Sequence, residues 1–541
     1  MKGWIIILAL FFASAASAQQ IGEDVYWIYF TDKKNNGYRV DKPGAFLTER
    51  SIERRAWQEL GVDQSDEPVT RAYVDSLLSM GVEVRHISRW LNGLVLVNAD
   101  KELFLQVLAK PFVDTLAWTP ETDSLYFPPK PAGKRFDPPL ENPPGFQYGV
   151  AEEQVRQIHT DHLHQEGYTG GGVRIAVIDA GFRNVDSLPS FRSMISEERL
   201  LGTRNFINDS SVFRLANHHG MYVLSIMGAD WNGNMMGTAP DAAYFLCSSE
   251  NVYTETRIEE IAWIEAAEYM DSLGYDVFNT SLGYSDFDSI EFDHGYKDMD
   301  GESTLISRAA SMLASRGIIL CSSAGNEGDK PWYYITAPSD AADILCVGAV
   351  DSTGLIAYFS SRGPSFDGRV KPDLLAMGKS TGVQYINGGL TRRSGTSFSS
   401  PVMAGSMASL WQACPEMPAS ELIRTIISTG DRIANPDATY GYGIPNFEKA
   451  YRIISSLTPK FIASEMNIRP NPATSRIHIS LPENRQGEFM LLFYDMSGRS
   501  IASGQVALPG ELALPGAITP GLYILEIVTP GNTYRNRLIV Q

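Results

Sequence analysis

Along residues 24–119 the apolar positions switch between two spacings. VYWIYFT (25–31), VEVRHISRW (82–90), LNGLVLVN (91–98) and VDTLAW (113–118) read as strands. SIERRAWQEL (51–60), RAYVDSLLSMG (71–81) and KELFLQVLAK (101–110) read as helices. Together they predict a small α+β unit over 19–119 without a cluster of catalytic residue types. Residues 120–148 hold the proline-dense FPPKPAGKRFDPPLENPPGFQYG. Proline fixes φ and removes donors, so this stretch is expected to be an extended, exposed linker open to proteolytic nicking.

From 149 to 455 short apolar runs alternate with longer amphipathic ones. VRIAVID, AAYFLCS, DVFNTSL, GIILCSSAG and ADILCVGAV predict buried strands, with helices between them at RIEEIAWIEAAEYMDSLG and STLISRAASMLASRG. That order implies an α/β fold, a doubly wound, mostly parallel sheet with helices on both faces. Active sites of such sheets lie beyond the carboxyl ends of the strands. Over 457–541 the helical spacing disappears. RIHISLP, EFMLLFYD, RSIASGQ, GLYILEIV and TYRNRLIVQ, divided by Gly, Pro and Asn turns, predict a C-terminal β-sandwich.

Composition changes this picture in three places. Lys2, the apolar run Trp4–Phe12 and Ala16-Ser17-Ala18 make residues 1–18 a secretory signal peptide, cut after Ala18. The run is well short of the ~20 apolar residues a membrane span needs, and no later segment reaches that length, so no transmembrane segment is expected. The net charge of -18 argues against nucleic acid as a partner, since phosphate binding needs clustered Lys and Arg. Cys247, Cys321, Cys346 and Cys414 lie far apart in apolar surroundings, which predicts buried free thiols, with a single bridge as the alternative.

The candidate chemistry gathers at element ends. Asp179 closes VRIAVID, where a carboxylate is costly without partners; capping the next helix would be its ordinary role. His219 opens the small, apolar helix in NHHGMYVLSIMGA, with His218 as the competing assignment. Ser397 follows Gly395-Thr396 at the head of a helix rich in Ala, Gly and Ser, where unpaired N–H groups favour a developing oxyanion, although serines there often serve only as caps. Asn326 ends LCSSAGNEG and carries an amide suited to donate to that oxyanion. The acidic stretch 285–301 reads as a solvated loop, with calcium at Asp286, Asp288, Asp298 and Asp300 as the sharper alternative.

VIDAGF, HHGM, NTSLG, SSAGNEG and GTSFSSPVMAG together resemble the subtilase family of serine peptidases, in its Asp–His–Ser chain order. The resemblance covers about 300 residues. It implies that Ser397 is the nucleophile, His219 the general base and acid, Asp179 the residue orienting the imidazole, and Asn326 an oxyanion donor. It also implies that Ser281-Leu282-Gly283 and Ala324-Gly325 line the cleft and pair with an extended protein or peptide substrate. Met221-Tyr222 and Phe398-Ser399 depart from the family's usual Thr-His and Met-Ala, which makes the wall bulkier without removing a proton carrier. No metal and no required cofactor is implied in the active site.

Residues 19–119 resemble the family's propeptide, with 120–148 as the processing region and a permanent accessory domain as the alternative. IRPNPATSRIHISL, LFYDMSGRSI, PGLYILEI and RLIVQ resemble the type IX secretion sorting domain of Bacteroidetes-type bacteria, with a generic binding sandwich as the alternative. This implies the type IX machinery as a partner and a product secreted or held on the outer surface of a Gram-negative cell. The expected function is a self-maturing secreted serine endopeptidase. An inactive surface binding protein on the same fold is the alternative. An α/β-hydrolase lipase or esterase is disfavoured by the missing G-x-S-x-G elbow and the triad order.

Overall fold

The protein is described from a computed structural model, which covers residues 19–117, 119, 125–457, 460–463, 466–481, 486–495, 500–514, 519–529 and 532–541. The expected signal peptide at 1–18 and linker residues 120–124 lie outside the described residues. The chain forms two compact units, one ending at Ala450 and one running from Tyr451 to Gln541.

A seven-stranded sheet organises the first unit, in the order Leu374–Met377, Leu345–Val350, Ile319–Ser323, Val277–Thr280, Arg174–Asp179, Ala243–Ser248, Leu200–Asn205. Every neighbouring pair is parallel. The strands are apolar on both faces because helices cover both. Helix Thr396–Ala413 packs on one face, and Arg257–Ser272 with Leu305–Ser315 on the other. Strands before Val277 lie to one side of Arg174–Asp179 and those after it to the other. That reversal opens a crevice at the carboxyl end of the strand, where Asp179 stands.

The α+β unit at the N-terminus is an antiparallel sheet ordered Gln19–Gly22, Val25–Phe30, Gly93–Val97, Glu83–Ser88. Side chains alternate across a strand. Tyr26, Ile28 and Phe30 therefore enter this domain's own core, while Trp27 and Tyr29 join a core shared with Ile261, Ile264, Met270, Ile306 and Ala309 of the two peptidase helices. Ions reinforce that seam. Asp271 binds Arg54, Arg55 at 3.0 Å and Arg89 at 2.7 Å, while Asp66 binds Arg55 at 2.8 Å and Arg316 at 2.9 Å. Burial pushes both carboxyls up, but the surrounding guanidiniums override it and hold them below the ordinary aspartate value.

Residues 125–148 contain no helix or strand, and many of them are exposed, yet Arg135 and Phe136 are buried. The second unit pairs a five-stranded sheet with a three-stranded one around a common core that includes Ile468, Ile477, Phe493, Leu525 and Leu538. All four cysteines are free and buried, which pushes their thiols up. Among the described residues no helix is long and apolar enough to cross a membrane.

Replacing Asp271 takes the carboxylate partner from Arg54 and Arg89 in a buried seam, while Arg55 keeps Asp66. Asp271→Ala is expected to cost about 3–5 kcal/mol, read as a lowered urea midpoint relative to the parent chain.

Candidate active site

Asp179 is the last residue of its strand, opposite Ser248, and is fully buried. Its Oδ1 accepts from the Ala180 N–H at 2.7 Å and from His219 Nδ1 at 2.7 Å. Its Oδ2 is buried without a hydrogen-bond partner. His219 is the first residue of helix His219–Gly228, held by its own N–H donating to Asn217 Oδ1 at 2.8 Å. Gly220 explains the tight approach: a Cβ there would lie 2.8 Å from the Gly181 carbonyl oxygen and 2.9 Å from Asp179 Cβ. Only glycine lets this helix start against the strand end. His218 stands at the N-cap position without a side-chain capping bond and sets its ring edge-on to Tyr222, so the carboxylate's partner is His219.

Ser397 is the second residue of helix Thr396–Ala413. Its hydroxyl donates to the Ser281 carbonyl at 3.2 Å, and the Ser281 hydroxyl donates back to the Ser397 carbonyl at 2.9 Å. This exchange ties the helix start to the end of strand Val277–Thr280. The helix is buried almost throughout, and its small residues permit close contact: a Cβ on Gly405 would meet Thr238 Oγ1 at 2.0 Å. Asn326 Oδ1 accepts from the Thr396 N–H at 2.9 Å, which leaves its NH2 group to donate elsewhere.

The two cleft segments differ. Ala324 and Gly325 were expected to pair with substrate, but their backbones are already bonded. The Ala324 N–H donates to Val347 O and its carbonyl accepts from Thr336, while Gly325 binds Thr396 Oγ1 and the Ser361 N–H. They form a wall rather than an open edge. Among the described residues the backbones of Leu282 and Gly283 carry no such bonds, so the open edge is Ser281–Gly283. Thr336, which the sequence did not single out, fills the gap between the segments: its Oγ1 would lie 2.2 Å from a Cβ on Gly283 and 3.0 Å from one on Gly325.

Two further groups shape the site. Tyr222 and Phe398, both departures from the family pattern, sit edge-on to each other at 6.4 Å, and Phe398 lies 5.7 Å from the His219 ring. One change accommodates the other. Glu250, just beyond the strand that flanks Asp179, is half-buried and accepts from Tyr284 Oη at 2.5 Å. Burial, with Glu255 and Asp179 nearby, pushes its carboxyl up to about 7 against the hydrogen bonds from Tyr284 and Ser249. A charged residue directly after the apolar strand YFLCSS was the available signal. Burial alone would lower the His219 imidazole, but Asp179 and, more weakly, Glu250 reverse that and raise it.

The acidic loop does not assemble a cation site. Asp286 accepts from Ser285, Asp288 from the Glu255 N–H, Asp298 from the Gly295 N–H, and Asp300 from Glu302 and Ser303. These are separate turn and capping bonds. Among the described residues no group of three or more His, Cys, Asp or Glu is arranged to hold a metal ion. The residues named for calcium do not fit it.

Three family profiles match the chain, each over a different stretch. A family profile described as "Subtilase family" matches residues 170–443. Others, described as "Peptidase S8 propeptide domain, Bacteroidota" and "Secretion system C-terminal sorting domain", match 25–131 and 467–541. The chain is 30% identical over 315 residues to subtilisin-like protease SBT6.1 of Arabidopsis thaliana, covering 56% of this chain and 28% of that protein. It is 30% identical to membrane-bound transcription factor site-1 protease of Mus musculus, covering 58% of this chain and 28% of that one. The chain thus spans just over a quarter of the length of these relatives. Subtilisin DY of Bacillus licheniformis is 26% identical, covering 54% of this chain and 96% of its own. Among solved structures, MycP1 with its N-terminal propeptide removed aligns with a TM-score of 0.44 at 19% identity, over 55% of this chain and 96% of that one.

The raised imidazole has a sign that can be checked. Pairing with Asp179 adds stability in full below the unfolded histidine value of about 6.5, and that stability is lost as pH rises through the higher folded value. An imidazole NMR titration is expected to place His219 above 6.5, and Asp179→Asn is expected to bring it below.

Proposed function

The chain belongs to the subtilase family, and on that premise we propose that it is an exported serine endopeptidase acting through Asp179, His219 and Ser397. The observation carrying the reading is the 2.7 Å hydrogen bond from His219 Nδ1 to Asp179 Oδ1, with the His219 ring 5.7 Å from that of Phe398, the residue after Ser397. With the proton held on Nδ1, the neutral ring has its lone pair on Nε2 and can act as base.

In this reading the Ser397 hydroxyl turns from the Ser281 carbonyl to His219 Nε2 and gives up its proton as Oγ attacks the scissile carbonyl carbon. Asp179 keeps the tautomer and stabilises the imidazolium. The oxyanion takes hydrogen bonds from the Ser397 N–H, which as a first-turn group has no intrahelical partner, and from the Asn326 NH2 group. His219 then passes the proton to the leaving amine, and water repeats the sequence on the acyl-enzyme. An extended protein or peptide substrate adds along Ser281–Gly283 as a strand.

The sorting domain at 467–541 directs the chain through type IX secretion, to the medium or the outer surface of a Gram-negative cell. The propeptide domain at 25–131 supports a zymogen that matures by its own proteolysis. Structural calcium elsewhere on the chain is compatible with the family.

Casein cleavage by the exported chain beside Ser397→Ala tests the reading. The parent is expected to cut casein and react with a fluorophosphonate probe, and the variant to do neither; equal inertness of both would favour the inactive binding protein. Asn326→Ala is expected to lower kcat by about 10²–10³, the loss known for removal of this donor in subtilisin itself. Because the base must be neutral and its pKa is raised, kcat/KM should fall on the acid side with a midpoint above about 6.5. Full activity well below that pH would remove His219 from the role.

A further inference from the structure

We propose that Arg393 gives the peptidase a preference for aspartate or glutamate at one of the first two residues after the scissile bond. The inference rests on the endopeptidase reading above and names part of what that site selects.

His219 hands its proton to the leaving amine, so the leaving half of the substrate passes the His219 ring. The wall there comes from the helices that carry His219 and Ser397, not from the open edge at Ser281–Gly283. The Phe398 ring lies 5.7 Å from that of His219 and 6.4 Å from that of Tyr222, and Tyr385 stacks on Tyr222 at 6.4 Å. The Arg393 guanidinium completes this wall, 5.4 Å from the centre of the Tyr222 ring and 5.6 Å from that of Tyr385.

The chain around Arg393 fixes its place. It closes strand Leu390–Arg393, which pairs antiparallel with Thr381–Gln384, Arg393 standing opposite Thr381. The Gln384 N–H ties this hairpin to the helix that bears His219, donating to Ser225 Oγ at 3.0 Å. Two residues beyond Arg393, the Gly395 N–H donates to the Gly378 carbonyl at 2.8 Å, and Ser397 follows. A half-buried guanidinium held against aromatic faces, on so short a tether to the nucleophile, has little freedom left to lose on binding.

Its charge is unspent. The chain carries 63 acidic side chains against 45 Lys and Arg, so partners are plentiful. The adjacent Arg392 has one, Glu153 at 2.8 Å. Among the described residues Arg393 has no carboxylate partner, and its N–H groups make only two long contacts, to the Arg392 carbonyl at 3.4 Å and to Tyr222 Oη at 3.5 Å. Burial lowers the His218 imidazole, and nearby Arg183 and Arg393 lower it further. His218 is therefore mostly neutral at neutral pH, while the two arginines keep this side of the crevice positive. A planar guanidinium with donors to spare takes a carboxylate through two parallel hydrogen bonds. An amide of the same shape brings no charge, and a lysine is repelled.

The test uses the exported chain and internally quenched peptides of one sequence, varied only at the first and second positions after the scissile bond among Asp, Glu, Asn and Lys. At one of these positions kcat/KM is expected to be about tenfold higher for Asp or Glu than for Asn, and lowest for Lys. Added salt should shrink that ratio. Arg393→Gln should abolish it, Arg393→Lys should retain part of it, and Arg393→Glu should turn the preference toward Lys. Each ratio is taken within one variant, so a general loss of activity leaves it readable. An Asp-to-Asn ratio near one at both positions in the parent, or a ratio unchanged in Arg393→Gln, overturns the proposal. Turnover without acid preference strikes this inference alone, whereas no turnover of any peptide strikes the endopeptidase reading with it.

Discussion

A parallel sheet buried on both faces has no room for polar groups along its strands, so polar chemistry must emerge at their two ends. The whole first unit follows from that constraint. At the carboxyl ends stand Asp179, Ser281 and Asn326, with His219 and Ser397 brought in on two buried helices. At the amino ends stand Asp276, Gly317 and Gly172, which receive Arg50, Gln58 and Arg135 of the N-terminal domain and its linker. One end of the sheet serves the chemistry and the other the attachment.

The attachment is electrostatic as well as apolar. Buried ion pairs are weak evidence of net stability, because desolvation offsets most of the attraction. What they supply here is specificity of seating: Asp66 and Asp271 accept four guanidiniums, and a shifted domain would leave those charges dry and unpaired. Trp27 and Tyr29 fill the same seam, so shape and charge prescribe one register. The N-terminal domain therefore falls in one compact unit with the peptidase domain although a long proline-rich stretch separates them in sequence.

Around the crevice, small residues set distances and large ones set the walls. Gly220 brings His219 to Asp179, and Gly283 and Gly325 let Thr336 fill the space between the cleft segments. Tyr222 and Phe398 form a bulky wall beside His219. Glu250 adds weakly to the raised imidazole that Asp179 creates.

Much of this was determined by the sequence alone. Apolar runs ending in Asp179 or in Ala324-Gly325-Asn326 announce strand ends, because a buried strand can turn polar only where it leaves the core. The His-Gly pair selects His219 over His218, since only the residue before glycine can sit so close to the strand. Strands Leu200–Asn205 and Leu374–Met377 escaped that reading: the first is a largely uncovered edge with polar positions, and the second has only four residues. The tertiary structure alone decided that the Ala324 and Gly325 backbones are bonded within the protein, that Glu250 stands near His219, and that the linker runs along the amino ends of the sheet. Each of these joins residues far apart in the chain through contacts that leave no local periodicity, so no window of sequence could carry them.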